Sequence, residues 1–503
     1  MDLDIDACYR AFRTRDSRFD GRLYSGVKTT GIYCRPICPA RTPRRENMLF
    51  FPTAAAAQEA GFRPCLRCRP ETAPNLAAWR GTSNTVSRAL SLIETGALDE
   101  GGVDHLADRL GIGERQLRRL FQEHLGASPV SVAQTRRVLL ALQLLHETQL
   151  PMADVALAAG FTSIRRFNEV FQGLYRRPPR ALRRAGRDAT AAASRSDVNI
   201  LLRYRPPYDW PAMLDFLRAR AIAGVESISS DSYARTIEIG GAHGFVIVEP
   251  AAADALRATI HFPRLSALPA IIDRLRRVFD LAADPHAIGA QLAEDELLAP
   301  LVQARPGLRV PGAWDGFELA VRAVLGQQIT VKAAARLAAK LVAAYGAPLS
   351  LPAVSVAGLT HVFPRPEALA SADIASLGMP RSRAETLTSL ARAVLSDPGI
   401  LGVGQHPVEC LKRLRGIRGI GEWTAQYIAM RELREPDAFP ADDVGLQRAL
   451  RGGEDRRPTP REVIVRAERW RPWRAYAAQH LWAASASVDG TLCGPPADSA
   501  CCG

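Results

Sequence analysis

Apolar residues recur with two different periods along this 503-residue chain. Within 103–183 they fall three and four positions apart, which is the spacing of one helix face, in two similar units about fifty residues apart. A small, polar stretch at 188–197 predicts a linker. Alternating runs at 236–239 and 244–248 predict strands, a helical pattern follows at 270–279, and helical segments rich in Ala and Leu dominate from 316 onward. The fold class is therefore multidomain, mainly α with α+β parts.

Each of the two units within 103–183 predicts a short helix, a turn at Gly111 or Gly160, and a second helix. On the second helices the apolar face consists of Leu117, Leu120 and Phe121 in one unit and Phe167, Val170 and Phe171 in the other. The side chains left facing outward are Arg115, Arg118, Arg119, Arg165, Arg166 and Asn168. A solvated surface explains any single arginine. Two units that each present arginines on the second helix are, however, typical of proteins that bind the major groove of DNA. This segment resembles the AraC-type DNA-binding domain, which implies that these outward side chains contact DNA.

Charge strengthens the prediction of a nucleic-acid partner. The formal net charge is +13, and the first 187 residues carry 29 Lys and Arg against 18 Asp and Glu, so the positive excess lies mainly at the N-terminal end. No apolar run approaches the length of a membrane span, and the first ten residues are acidic. We therefore expect a cytoplasmic protein without a membrane partner, whose nine cysteines are metal ligands or nucleophiles and do not form a disulfide framework.

Four of the cysteines have the spacing of a zinc site. Cys34 and Cys38, then Cys65 and Cys68, form a C-x3-C and a C-x2-C pair separated by 26 residues. No histidine precedes His105, so a mixed ligand set within this module is excluded. The spacing predicts one Zn²⁺ held by four thiolates, and by itself it favours a purely structural site.

The sequence around these ligands, VKTTGIYCRPICPAR, RREN and AGFRPCLRCRP, resembles the Ada-type methyl-phosphotriester domain over about residues 5 to 72. The resemblance implies that Cys34 is both a zinc ligand and the methyl acceptor, and that Thr30, Arg41 and Arg63 contact DNA. Four thiolates on one Zn²⁺ carry a net double negative charge, which repels phosphate but admits a neutral methyl phosphotriester. Methyl transfer removes one negative charge, so the affinity for the DNA backbone should rise.

Two segments of the C-terminal half, PGLRVPGAWDGFELAVRAVLGQQITV and LKRLRGIRGIGEWTAQYIAMRELREPDAFPADDVGLQRAL, resemble the helix-hairpin-helix DNA glycosylases of the AlkA type. The α+β segment from about residue 198 is similar to the small N-terminal domain of that family. The resemblance implies that the hairpin at Gly419 and Gly421 offers backbone N–H groups to a DNA phosphate. It also places Gln328 as the wedge that fills the gap of a flipped base. Arg418 departs from the family, which often has Pro there.

The resemblance further implies a base pocket and a catalytic carboxylate. Trp423 and Tyr427 stand four positions apart on one predicted helix, and Trp482 matches a third pocket aromatic, although all three are equally compatible with a core. Asp443 alone would be interpreted as a helix N-cap, and Asp442 competes with it; the family pattern places the catalytic carboxylate at Asp443. Electron-rich rings attract cationic alkylated purines, and a carboxylate stabilises the sugar cation as the base leaves.

Several activities are not expected. Trp423 occupies the position where relatives with lyase activity carry a Schiff-base lysine, which implies a monofunctional glycosylase. Cys410, Cys493, Cys501 and Cys502 lack iron–sulfur spacing, so neither an iron–sulfur cluster nor an organic cofactor is expected. No Pro-Cys-His-Arg signature is present, and repair of O6-methylguanine is therefore not expected.

The predicted domains are a zinc and methyl-acceptor domain at 1–78, a helix-turn-helix domain at 83–187, a linker at 188–197, an α+β domain at 198–300 and an all-α glycosylase domain at 301–503. The expected partners are double-stranded DNA with alkylated bases and methyl phosphotriesters and, at promoters, RNA polymerase. Two alternatives remain open: a transcription regulator whose glycosylase half only holds DNA, and a glycosylase with a merely structural zinc site.

Overall fold

The computed structural model describes residues 4–73, 84–183, 197–252, 254–349, 356, 358–402, 407–451 and 456–488. Of the predicted linker only Asp197 lies in these ranges, and Cys493, Cys501 and Cys502 lie outside them. Within the described ranges the chain is mostly helical and contains two sheets, which confirms the predicted fold class. None of the described helices combines the length and the apolar character that a membrane crossing requires.

The N-terminal module is built on a four-stranded sheet in the order β3-β1-β2-β4. Its elements are α1 (Ile5–Arg13), β1 (Tyr24–Val27), β2 (Ile32–Cys34), β3 (Met48–Phe51), α2 (Ala54–Glu59) and β4 (Arg63–Pro64). β1 pairs antiparallel with β2 and β3, whereas β2 and β4 run parallel with Tyr33 opposite Pro64. The parallel register brings Cys34 and Cys65, the next ladder positions, to the same end of the sheet.

Two helix-turn-helix units follow, joined by a long helix. The helices are α3 (Asn84–Glu94), α4 (Ala97–Glu100), α5 (Val103–Leu110), α6 (Glu114–Leu125), α7 (Pro129–Glu147), α8 (Met152–Ala158) and α9 (Ile164–Tyr175). Gly111 and Gly160 form the turns with φ of 71° and 85°, a region that side chains other than glycine rarely adopt. The predicted apolar faces are inside: Leu117, Phe121, Phe167 and Phe171 are completely buried.

The next domain is an antiparallel sheet in the order β5-β9-β8-β7-β6 with two helices. Its elements are β5 (Asp197–Arg203), α10 (Trp210–Arg220), β6 (Glu226–Ile228), β7 (Tyr233–Ile239), β8 (Ala242–Ala251), β9 (Ala255–His261) and α11 (Leu268–Val278). The strands predicted at 236–239 and 244–248 lie within β7 and β8, and the helix predicted at 270–279 is α11. Alternation along β5 buries Val198, Ile200 and Leu202.

The remaining described elements are helices: α12 (Pro285–Leu292), α13 (Leu298–Ala304), α14 (Gly316–Leu325), α15 (Val331–Tyr345), α16 (Pro366–Leu369), α17 (Arg381–Ser396), α18 (Pro407–Arg415), α19 (Glu422–Arg431), α20 (Val444–Ala449), α21 (Pro460–Ala467) and α22 (Arg474–Val488). α14 is central, because every residue of it except Arg322 is buried. Ile288 and Val302, on α12 and α13, join one apolar core with Leu446 and Leu481. Helices on both sides of the predicted boundary at residue 300 therefore pack together.

A single apolar core also connects the second helix-turn-helix unit with the α+β domain. It contains Leu142 and Phe171 from the helices and Ile200, Val246 and Leu275 from the sheet domain. Burial of apolar area is the main favourable term in folding, so a shared core favours a fixed arrangement of the two domains over two domains that move independently on a linker.

Candidate active site and metal centre

The four cysteines of the N-terminal module converge. Cys34 ends β2, Cys65 follows β4, and the two remaining thiols lie in the turns after them. The Sγ atoms of Cys34, Cys38, Cys65 and Cys68 all lie within 4.8 Å of one another. Tetrahedral Zn²⁺ with Zn–S bonds of about 2.3 Å places its sulfurs roughly 3.8 Å apart, so the donor set and its spacing fit one Zn²⁺.

The four thiols are not equivalent. Cys38, Cys65 and Cys68 are buried, whereas Cys34 is half-buried. The Sγ of Cys68 accepts from the backbone N–H of Arg35 at 3.4 Å, and that of Cys65 accepts from Arg67 N–H at the same distance. Hydrogen bonds draw electron density from a thiolate and lower its nucleophilicity. Neither of these two hydrogen bonds goes to Cys34, which is also the least buried residue of the four.

The three side chains predicted to contact DNA beside the cluster occupy different environments. Thr30 lies exposed in the turn between β1 and β2, and Arg41 is exposed. Arg63 is half-buried, with its guanidinium carbon 5.4 Å from the ring centroid of Tyr175 at the end of α9. Arg63 thus stands between the cysteine cluster and the second helix-turn-helix unit.

The outward side chains of α6 and α9 are solvent-facing as predicted. Arg115, Arg118, Arg119, Arg165, Arg166 and Asn168 are all exposed. Arg118 pairs with Glu114 at 2.6 Å and Arg165 with Glu169 at 2.9 Å, each one helical turn apart. Exposed pairs of this kind contribute little to stability, so a phosphate can replace the carboxylate at small cost.

The C-terminal half contains a cavity of about 450 Å³ between α10, α14, α15, α19 and α22. Its walls include Phe216, Arg220, Trp314, Arg322, Trp423, Tyr427, Arg431, Asp443 and Trp482. The structure thereby brings together all four residues predicted for the base pocket and its carboxylate. A cavity of this volume matches small-molecule and base pockets. We call it the aromatic cleft.

The Asp443 carboxylate is held from three directions. Trp423 Nε1–H donates to Oδ2 at 2.8 Å, Trp482 Nε1–H donates to Oδ1 at 2.9 Å, and the backbone N–H of Leu446 donates to Oδ1 at 3.0 Å. The last contact makes Asp443 the N-cap of α20. All three partners are donors, so the side chain acts purely as an acceptor, as an ionised carboxylate does. Asp443 is thus both the N-cap of α20 and a wall residue of the aromatic cleft.

Aromatic rings and a buried cation complete the cleft. The rings of Trp423 and Tyr427 are stacked, with centroids 5.3 Å apart and planes 14° from parallel. The guanidinium of Arg431 lies 4.9 Å from the Tyr427 ring centroid and 5.7 Å from that of Trp482. Burial lowers the pKa of Arg431 to about 10. Burial would raise the pKa of the Tyr427 phenol, but Arg431 and Arg220 outweigh it and lower that pKa below its ordinary value.

Phe216, Arg220 and Arg431 were not among the predicted residues. Arg220 Cζ lies 3.9 Å from the Phe216 ring centroid, and Arg431 Cζ lies 4.4 Å from the same ring. A sequence signal existed for Arg431, which follows Trp423 and Tyr427 at the same four-residue interval on α19. Phe216 and Arg220 also stand four apart on α10, but nothing local indicates that this helix reaches the cleft.

The predicted hairpin and wedge adjoin the cleft. Gly419 is exposed with φ of 89°, and α19 begins after Gly421 without a side-chain cap, so its first N–H groups are open to an acceptor such as phosphate. Gln328 is exposed with φ of 57°. The preceding Gln327 donates to the Gly419 carbonyl at 3.0 Å, which ties the wedge loop to the hairpin. Arg418 is exposed and makes no hydrogen bond or ion pair within the described residues.

Four families match successive parts of the chain. Residues 7–71 match the metal binding domain of Ada, and 106–185 match a helix-turn-helix domain. Residues 199–315 match the AlkA N-terminal domain, and 321–475 match the HhH-GPD superfamily of base excision DNA repair proteins. The match to the AlkA N-terminal domain crosses residue 300, in agreement with the packing across that position.

Relatives support the same division. A protein of Mycobacterium tuberculosis (strain CDC 1551 / Oshkosh), described as "Probable bifunctional transcriptional activator/DNA repair enzyme AlkA", is 42% identical over 486 residues, which cover 96% of this chain and 97% of the relative. DNA-3-methyladenine glycosylase 2 of Escherichia coli K12 is 37% identical over 288 residues, 56% of this chain and 95% of that protein. The structure of a 3-methyladenine DNA-glycosylase from Archaeoglobus fulgidus shares the fold, with a TM-score of 0.51 at 22% identity over 58% of this chain and 99% of that one.

The hairpin geometry predicts opposite outcomes for two neighbouring glycines. In Gly419→Ala, the new Cβ would approach Thr386 Cγ2 to 2.9 Å and collide with the Thr386 hydroxyl at a positive φ, so we expect a loss of about 1–3 kcal/mol in the free energy of unfolding. In Gly421→Ala, the Cβ meets nothing within 4 Å, and we expect a change within about 0.5 kcal/mol. Thermal unfolding of both variants measures these two changes in stability. Equal melting temperatures for the two variants would refute the hairpin geometry.

Proposed function

The chain belongs to the family of bifunctional transcriptional activator/DNA repair enzymes AlkA, and on that premise we propose that it excises alkylated purines of the 3-methyladenine type from DNA, with Asp443 as the catalytic carboxylate. The observation that carries this proposal is the convergence of two indole N–H groups and one backbone N–H on the Asp443 carboxylate at the wall of the aromatic cleft. We further propose that Cys34 accepts a methyl group from DNA methyl phosphotriesters.

Excision begins when the damaged base leaves the duplex and enters the aromatic cleft. Gln328 fills the vacated position in the base stack, and the N–H groups near Gly419 and Gly421 hold the neighbouring phosphate. The hydrogen bond from Gln327 to the Gly419 carbonyl keeps Gln328 and the phosphate-binding hairpin at a fixed separation. Flipping and phosphate binding are thus mechanically linked.

Bond cleavage then depends on charge. The N-glycosidic bond breaks with its electron pair going to the base, which is a good leaving group because alkylation has made it cationic. Positive charge builds on the sugar, and the Asp443 carboxylate stabilises it. Water adds to the sugar cation and gives up its proton, and the abasic site stays uncut. Trp423 takes the place of an amine nucleophile, so no Schiff base forms and the activity is monofunctional.

The cleft also orients the base. The stacked rings of Trp423 and Tyr427 attract a positively charged purine face. Arg220 lies against the Phe216 ring and Arg431 over the Tyr427 ring, where their guanidinium groups repel the alkylated, cationic edge and attract ring nitrogens or carbonyl oxygens that accept hydrogen bonds. The purine is therefore held with its acceptor edge toward the arginines.

In the N-terminal half, Cys34, Cys38, Cys65 and Cys68 would hold one Zn²⁺, which would keep their sulfurs deprotonated. The Cys34 sulfur attacks the methyl carbon of a phosphotriester; an S–C bond forms, the C–O bond breaks, and the electron pair stays on the phosphate oxygen. The less negative cluster then binds the DNA backbone more tightly. Arg118, Arg119, Arg165, Arg166 and Asn168 read the adjacent duplex, and we propose that the bound protein activates transcription through RNA polymerase at promoters.

Replacing the catalytic carboxylate tests excision directly. Asp443→Asn keeps the N-cap but not the charge, so we expect the single-turnover release of methylpurines from alkylated duplex to fall by about 100-fold or more. Asp442→Asn, which changes the exposed neighbour, should leave the rate unchanged. Equal activity of wild type and Asp443→Asn would favour the alternative in which the glycosylase half only holds DNA.

The role of the indole N–H groups has its own test. Trp482→Phe preserves the ring but removes the donor to Asp443, so we expect a loss of about 10- to 100-fold in the excision rate. Trp210→Phe is the matched control, because its indole donates to Asp231 at 3.2 Å outside the aromatic cleft. If the two variants lose the same amount of activity, the hydrogen bond to Asp443 does not orient the carboxylate.

Mass spectrometry tests the methyl acceptor. After incubation with methyl-phosphotriester duplex, the intact protein should gain one methyl group, and Cys34→Ala should gain none. Cys8→Ala should still gain it, because Cys8 is buried outside the four-cysteine cluster. A wild-type protein that gains no methyl group would establish the alternative of a merely structural zinc site.

A further inference from the structure

A cluster of buried charges joins the cysteine module to the glycosylase half. Arg35 and Asp20 come from the cysteine module, and Arg205 and Asp284 come from the α+β domain and the start of α12; these four residues have relative exposures of 4%, 6%, 4% and 3%. Arg22, which is half-buried, pairs with Asp284 across the same boundary. We call these five residues the sensor dock.

The contacts across the dock are specific. Arg205 donates to the Arg18 carbonyl at 2.7 Å, to the Asp20 carbonyl at 2.6 Å, and to Asp284 Oδ2 at 3.0 Å. Asp284 is also the N-cap of α12, since its Oδ1 accepts from the backbone N–H of His286 at 3.2 Å. The dock therefore ends on a structural element of the glycosylase half.

Its other end reaches the cysteine cluster. Arg35 is the residue after Cys34; its guanidinium donates to Asp20 Oδ1 at 2.7 Å and to the Cys68 carbonyl at 3.0 Å. Its backbone N–H donates to Cys68 Sγ at 3.4 Å. One residue thus touches both the metal-binding thiols and the dock.

The charges of the dock do not balance. Three guanidinium groups face two carboxylates, which leaves one positive charge in excess. Arg309, buried beside the dock, adds to the excess because among the described residues it donates to backbone carbonyls alone, those of Asp280, Ala283, Arg205 and Pro207. The Nε atoms of Arg205 and Arg309 are buried without a hydrogen-bond partner in the described part of the chain. Unpaired buried donors cost free energy, so the dock depends on nearby negative charge.

Arg35 brings the dock next to the cysteine cluster, because its backbone N–H donates to Cys68 Sγ. Four thiolates around one Zn²⁺ would carry a net charge of about −2 there. We propose that methyl transfer to Cys34 loosens the sensor dock and so weakens the attachment of the cysteine module to the glycosylase half. The inference rests on the proposed role of Cys34 as methyl acceptor. The transfer converts a thiolate into a neutral thioether and leaves a phosphodiester anion on the DNA. The cluster loses one of its negative charges, so the positive charge of Arg35 beside it is less compensated.

The loosening has a functional consequence. In the unmethylated protein, the dock holds the cysteine module against the α+β domain, in addition to contacts of the module with α7 such as the ion pair between Arg69 and Glu147 at 3.0 Å. After transfer, the contacts with α7 persist while the boundary with the α+β domain opens, so the cysteine module gains freedom to adjust to DNA as its affinity for the backbone rises.

Hydrogen–deuterium exchange of the full-length protein tests this inference. The protein is methylated with methyl-phosphotriester duplex, the DNA is removed by nuclease digestion and chromatography, and peptides covering 17–23 and 285–292 are compared before and after. Exchange of both segments should rise several-fold, whereas α14, in the glycosylase core, should not change. Intact mass, measured on the same samples, reports the methyl group on Cys34.

Two variants define the dock further. Asp284→Asn keeps the N-cap of α12 but removes a dock charge, and Arg205→Met removes the central guanidinium; both should show raised exchange before methylation and little further change after it. Arg218→Met is the matched control, because Arg218 is exposed, far in the fold from the five dock residues, and contacts Asp215 and the Ser229 carbonyl. It should behave as wild type.

The outcomes separate the inference from its premise. A methylated wild-type protein whose 17–23 and 285–292 segments exchange as before would overturn the inference and leave the methyl acceptor intact. A protein that gains no methyl group would overturn the premise and the inference together. Raised exchange in Arg218→Met equal to that in Arg205→Met would show that the dock is not the connecting element.

Discussion

The arrangement of the C-terminal half depends on three N–H groups that meet at one carboxylate. Trp423 on α19, Trp482 on α22 and the first turn of α20 all donate to Asp443, so these three helices must keep a fixed relation to one another. The apolar core that contains Met430, Leu446 and Leu481 maintains it. Trp423 and Trp482 form walls of the cleft and also donate their indole N–H groups to Asp443. The same two hydrogen bonds therefore position both the aromatic walls and the carboxylate.

Much of the site was predictable because its signals are local. Cysteine spacing depends only on a short stretch of chain, as does the four-residue interval between Trp423 and Tyr427. The remainder depends on how distant elements meet. The parallel pairing of β2 with β4, which sets Cys34 beside Cys65, joins segments thirty residues apart. Phe216 and Arg220 enter the cleft from another domain, and no periodicity along α10 reveals what that helix will face.

Asp443 illustrates why two interpretations of one residue need not compete. From sequence, helix capping and catalysis are rival explanations for an aspartate before a helix. In the structure, Oδ1 accepts the N-cap bond and an indole bond together, while Oδ2 accepts from the other indole. The cap fixes the side chain, and that fixed orientation is what a stabilising carboxylate requires, since electrostatic catalysis depends on groups that are already oriented. In the proposed function, charge also plays a part in both halves: the anionic cysteine cluster would accept a neutral phosphotriester, and the cleft a cationic base.

The most direct measurement of the central claim compares the binding of two abasic-site analogues in duplex DNA, one with a protonated pyrrolidine in place of the sugar and one with neutral tetrahydrofuran. If Asp443 stabilises positive charge on the sugar, the wild-type protein should bind the cationic analogue about 100-fold more tightly than the neutral one, and Asp443→Asn should lose this preference. An equal preference in both proteins would contradict the account, because the charge recognition would then lie elsewhere in the cleft.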